Sequence, residues 1–314
     1  MCPSTKIESK DICKLKQKMS TQTLIDTLPD EMLSHIAFFL VHDDQSQCAF
    51  ARVCCRFYGI AHDVFDQSPA FLHACGHNYI DIVERFLGDE RVDPTARNNY
   101  AIQRSSSNGH ADVVRLLLDD GRADPTSWAS HAIRMSSQYG HTNVVRLLLD
   151  DGRANPTGCN NQAIQGSSMN GHTEVVQLLF LDGRVDPTAG DNYAIQLSSY
   201  FGHADVARLL LEDGRADPAA DNHYAIRWSS MNGHADVVKL LLADGRADPA
   251  AHDNYAIRAS SKCGHMGVVN LLLADGRADP AAHDNYAIRA SSKCGHMGVV
   301  NLLLADGRVD CTRC

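Results

Sequence analysis

Eight histidines follow a glycine along this chain: His77, His110, His141, His172, His203, His234, His265 and His296. From His110 onward they stand 31 residues apart. Imidazoles in register invite a metal-binding or acid–base reading, and distance argues against it. Stacked helical units place equivalent side chains roughly 8–10 Å apart, whereas two nitrogens sharing one zinc each lie about 2 Å from it. The spacing assigns these histidines to local hydrogen bonding at an inter-helix turn. Cys311 and Cys314 form a CxxC with no second pair or nearby histidine, too little for a zinc site. No Ser-His-Asp set, phosphate loop or HExxH pattern occurs. The expectation is a protein without catalytic residues, metal or cofactor.

Composition bounds the partners. A formal net charge of −9 disfavours nucleic acid, which needs a basic surface to displace counterions. The 11 cysteines are irregularly spaced, with Cys54 and Cys55 adjacent. No apolar run of signal-peptide length stands at the start, so the expected setting is a reducing one, the cytoplasm or nucleus. No stretch approaches about 18 continuous apolar residues, so no membrane span is expected.

The elements that position these residues are repeats. Asp-Pro or Asn-Pro recurs at Pro94, Pro125, Pro156, Pro187, Pro218, Pro249 and Pro280, and Leu240 to Arg277 reappears unchanged as Leu271 to Arg308. A fixed period of this size marks a stacked array. Gly-His counting gives eight units, with His77 two residues off phase. Within one unit, Asn254 is placed to cap a short helix through YAIRASSKC, and Gly264 to end it. His265 leads into a second helix carrying Val268, Val269, Leu271, Leu272 and Leu273. The small Ser260 and Ser261 would let backbones approach closely. Helices this short are marginal in water and persist only when stacked. Pro280 and its polar surroundings form the returning turn.

The second-helix half, GHADVVRLLLDDG at Gly109 to Gly121, resembles ankyrin repeats. The first-helix half departs from that family, with YAIRxSS or YAIQxSS where the family has TPLHxAA. The period of 31 implies a shorter finger turn. The resemblance covers residues 68–314 and implies an all-α, ankyrin-like helix-turn-helix solenoid acting as a monomer. In such a stack, turns and first helices line the concave surface used by protein partners. Positions that differ between copies cluster there: after the proline, after the Ile-Arg or Ile-Gln pair, and before the Gly-His. They nominate Arg97, Trp128, Met135, Tyr139, Leu197, Tyr200, Phe201, Trp228, Met231 and His252 as contacts for an unknown target protein, with aromatic and methionine anchors. The alternative is that Leu197 and Trp228 are core and the others have drifted. The last unit leaves Leu302, Leu303 and Leu304 only partly covered and is expected to fray.

Residues 1–22 read as a disordered basic tail. Residues 23–67 contain TLPDEMLSHIAFFL, a polar break, and ARVCCRFYGIAHDVF, two helices by apolar spacing. Their Leu-Pro, Phe-Leu and Val-Cys-x-Arg-Phe pattern resembles an F-box. That resemblance implies docking on a Skp1-like protein of a cullin ubiquitin ligase through Leu28, Pro29, Leu33, Ile36, Leu40, Val53, Cys54 and Phe57. The chain would then be a substrate-recognition adaptor. The competing reading is an interaction scaffold whose N-terminal helices only cap the first repeat.

Overall fold

The computed structural model describes residues 67–309. Among them are sixteen α-helices and no strand, the all-α class expected. The basic tail, the F-box-like residues up to 66, and Cys311 and Cys314 lie outside the described residues. The described chain falls into two compact units, one holding residues 67–105 and 112–124, the other 106–111 and 125–309.

In the first unit α1 (Gln67–Gly76) packs on α2 (Ile80–Leu87), and Phe71 meets Phe86 edge-on with ring centroids 5.8 Å apart. Next come α3 (Ala96–Ser107) and α4 (Ala111–Asp120). The second unit continues with α5 (Ser127–Gln138), α6 (Thr142–Asp151), α7 (Gly158–Met169), α8 (Thr173–Asp182), α9 (Ala189–Phe201) and α10 (Ala204–Asp213). Then follow α11 (Ala220–Met231), α12 (Ala235–Asp244), α13 (Ala251–Cys263), α14 (Met266–Asp275), α15 (Ala282–Lys293) and α16 (Met297–Asp306). From α5 onward each odd-numbered helix packs on its even partner and on the next odd helix, while even helices pack on even.

The sequence pattern explains this layering. In α12, Val237, Val238 and Leu241 are fully buried and Leu240 and Leu242 half-buried, so one helix contacts its partner and both neighbours. Each full burial is worth about 1.5–3 kcal/mol, which offsets the ordering cost only when a neighbour is present. The serine pairs from Ser105–Ser106 to Ser260–Ser261 are fully buried between first helices, as their small size requires; in the last pair Ser291 is buried and Ser292 exposed.

Two expectations are corrected. Asn254 does not cap its own helix. It is the third of three consecutive residues in the left-handed region, His252, Asp253 and Asn254, and the right-handed helix starts after it. The same triplet occurs at 97–99, 128–130, 159–161, 190–192, 221–223 and 283–285. Left-handed backbone costs roughly 1–2 kcal/mol for residues with a β-carbon, less for Asn and Asp, and these triplets are rich in Asn, Asp, His and Gly. The third residue then bonds forward: the Asp279 N–H donates to Asn254 Oδ1 at 2.6 Å, Asp217 N–H to Asn192 Oδ1 at 2.7 Å, and Asp248 N–H to His223 Nδ1 at 3.0 Å. A side chain spent on the next repeat cannot also cap its own helix.

The second correction concerns His77. The structure puts Asn78, φ 59°, and Tyr79, φ −86° and ψ 75°, at the turn before α2, where later units have left-handed glycine and histidine such as Gly140 and His141, φ −79° and ψ 70°. Asn78 and Tyr79 lie in phase with Gly109 and His110, so the unit is regular and the Gly-His at residues 76 and 77 is not its counterpart.

Candidate protein-interaction surface

Three ladders of hydrogen bonds hold the first helices in place. The histidines work between repeats and not within a turn: His172 Nε2–H donates to Gln138 O at 3.0 Å, His234 to Tyr200 O at 2.9 Å and His265 to Met231 O at 2.9 Å. Each ring also covers the left-handed glycine of the preceding repeat. A β-carbon on Gly233, φ 82°, would stand 2.6 Å from His265 Nδ1. Burial against this backbone pulls the His172 imidazole pKa below its ordinary value. Among the described residues no three His, Cys, Asp or Glu side chains converge as metal ligands.

The second ladder lies after the second helices. Arg246 grips Asp244 with Nε and Nη2, both at 2.8 Å, and donates Nη1 to Ala216 O of the preceding repeat at 2.9 Å. Arg184 repeats this with Asp182 and Ala154 O at 3.0 Å. The paired guanidinium holds the Asp182, Asp244 and Asp275 carboxyls below the ordinary value of 3.8.

The third ladder explains the invariant Ile-Gln or Ile-Arg. Carbonyls of the left-handed triplet point away from the helix ladder, and the Gln or Arg five or six residues on satisfies them. Gln103 Nε2 donates to Asn98 O at 2.7 Å, Gln196 Nε2 to Asp191 O at 2.6 Å, and Arg134 Nε to Ala129 O at 2.9 Å. Arg258 uses two donors, Nε to Asp253 O at 2.8 Å and Nη2 to His252 O at 3.0 Å.

On this frame sit the nominated contact residues. Arg97, Trp128 and His252 occupy the first left-handed position of their triplets and are exposed. Trp128, 63% exposed, has an edge-on neighbour in His131 at 6.4 Å. Met135 and Leu197 are half-buried on their helices, and Tyr139 is exposed at the end of α5. Tyr200, Phe201, Trp228 and Met231 are brought together. Tyr200 lies 5.0 Å from Phe201 and 6.0 Å from Trp228, and Met231 Sδ accepts the Tyr255 hydroxyl at 3.1 Å. Trp128 meets His131 instead, so the two tryptophans belong to different patches.

The tyrosines of the repeated NYAI and HYAI were not nominated, yet they complete the patch. Tyr224 lies 5.6 Å from Trp228 and Tyr255 6.2 Å from it. Burial raises the Tyr224 phenol pKa. Their recurrence in most copies, with His131 and Gln162 the exceptions, made them look like scaffold. Helical spacing was the available signal: Tyr255, Arg258 and Lys262 fall on one face.

Paired short helices stacked repeat on repeat, with a variable face on the first helices, define a helical repeat protein. A model described as "Ankyrin repeats (3 copies)" matches residues 71–159 and again 161–253, more than half of the chain, and the chain belongs to the ankyrin-repeat family. Comparison with curated proteins gives no match. Ankyrin repeats build protein-interaction scaffolds, and protein partners are the class this chain takes. Among the described residues no helix is long and apolar enough to cross a membrane.

Proposed function

We propose that this chain is a target-recognition adaptor of the cytoplasm or nucleus. The first-helix face binds a protein target, and the F-box-like segment docks on a Skp1-like protein of a cullin ubiquitin ligase. The observation that carries the first half is the half-exposed cluster of Tyr200, Phe201, Tyr224, Trp228 and Tyr255 on helices whose other faces are occupied by stacking. Aromatic rings held in place by neighbouring repeats give large contact area at little entropic cost. Trp128, Met135, Tyr139, Leu197, Met231 and His252 extend the surface along the second unit, and Arg97 holds the equivalent turn position in the first. The second half rests on the residue pattern from Leu28 to Phe57. Its mechanism is geometric: the adaptor holds a target at a fixed offset from a ubiquitin-loaded enzyme on the same assembly.

The test is direct binding of a recombinant Skp1-like protein to the full chain and to a Leu28→Ala, Pro29→Ala variant. Micromolar or tighter binding lost in the variant establishes the ligase adaptor. Absence of binding by either leaves an interaction scaffold whose N-terminal residues cap the first repeat.

A further inference from the structure

A cavity of about 200 Å³ opens between α13 and α15, and Met231, Tyr255, Arg258, Lys262 and Tyr286 line it. Ala259 also lines it, at the position where the preceding repeat carries Trp228; the small side chain makes the space. The walls are aromatic. Tyr255 is held by its bond to Met231 Sδ, and the Arg258 guanidinium carbon lies 5.6 Å from the centre of the Tyr286 ring. That ring comes from the exact duplicate unit, so the last copy completes this pocket.

The charge of the pocket is opposite to that of the chain. Two cations and no carboxylate line it, in a protein of net charge −9. Arg258 is fixed by the carbonyls of Asp253 and His252, and among the described residues Nη1 has no partner and Lys262 Nζ pairs with no acid. The nearby Asp253 carboxylate is turned to His283, at 3.3 Å. A preset guanidinium over an aromatic wall, with the exposed Lys262 ammonium one helical turn away, is built for a carboxylate on an aliphatic stem.

Building on the target-binding reading above, we infer that this pocket receives a Glu or Asp side chain of the protein target. The carboxylate lies against Arg258 and Lys262, and the stem lies between Tyr255 and Tyr286. The pocket thereby selects acidic segments and fixes their register against the Trp228 cluster.

The test pans random linear peptides displayed on phage against the full chain, then measures the enriched peptides as free synthetic molecules. The variant is Arg258→Gln with Lys262→Gln. Glutamine performs the same turn-carbonyl bonding at Gln103 and Gln196, so the charge is removed and the turn kept. Expected are peptides carrying Asp or Glu beside apolar residues, binding about tenfold or more weakly to the variant, with a similar loss when their acid becomes the amide. Peptides that bind both proteins equally, or that need no acid, overturn the pocket while leaving target binding intact. Enrichment of nothing on the chain overturns both readings. Circular dichroism and a urea midpoint matching the natural chain establish that the variant is folded.

Discussion

Residue by residue, the repeats carry two kinds of position that look alike in sequence and differ in cost. Gly233 and Gly245 both hold φ 82°. A β-carbon on Gly233 meets the His265 ring, while one on Gly245 meets nothing within 4 Å. Gly245→Ala should therefore cost about 1 kcal/mol, the left-handed penalty alone, and Gly233→Ala at least about 2 kcal/mol because the imidazole must also move. Urea midpoints of the two variants measure the difference, and equal losses would mean that the histidine contact is unimportant. The serine pairs split in the same way. Ser229 Oγ donates to Ile226 O at 3.3 Å, whereas the Ser230 hydroxyl is fully buried with no partner among the described residues. Removing an unsatisfied buried hydroxyl relieves its desolvation cost, so Ser230→Ala should stabilise by about 1 kcal/mol, and a lower denaturation midpoint would contradict this. The hydroxyls of Ser137, Ser168, Ser199 and Ser261 are in the same state.

At the scale of the element, two half-buried imidazoles and the arginine-paired aspartates act in separate pH windows. His172 has its folded pKa lowered by burial, as does His131. The unfolded chain therefore takes up protons first, and the stability these groups contribute is present above the unfolded value of 6.5 and declines as pH falls through it. The Asp182, Asp244 and Asp275 carboxyls are lowered from 3.8 mainly by hydrogen bonds from Arg184, Arg246 and Arg277. Their contribution persists above 3.8 and is lost as pH falls below it. Urea midpoints between pH 8 and pH 3 should thus fall in two steps, about one near pH 6 and one near pH 4. His172→Gln should shrink the first and Asp244→Asn the second. The arginines are more than a third exposed, with Arg246 at 39%, so each pair contributes no more than about 1 kcal/mol. A single acid transition unaffected by either substitution would refute the assignment.

Along the repeat array of the second unit, stability is the sum of neighbour contacts, and the last helix has fewer. In α16, Leu304 is 44% exposed where Leu273 is half-buried, and Val300 reaches 8% where Val238 and Val269 are at 0%. Amides of Val299 to Leu304 should exchange with deuterium about tenfold or more faster than those of Val237 to Leu242, and equal protection would contradict the expected fraying. Leu303 itself is fully buried, so the expectation that the leucine face is only partly covered holds for Leu304, exposed, and Leu302, half-buried, and not for all three. The same additive logic explains why an exact copy is tolerated: it adds contacts of a kind already present.

The sequence alone determined the period, the helix pairs and the buried Val-Val and Leu positions, because these depend on interactions close along the chain and on apolar spacing. It also nominated Tyr200, Phe201 and Trp228, because copies that differ at a position reveal where stacking leaves freedom. Tertiary structure decided what depends on partners one repeat away. Asn254 could not be distinguished from a helix cap until the Asp279 amide stood beside it, and the histidines needed the carbonyls 34 residues earlier. The pocket of Arg258, Lys262 and Tyr286 was hidden because Tyr286 stands 28 residues from Arg258 in the chain, and only the stacking of one first helix on the next brings the three around a cavity.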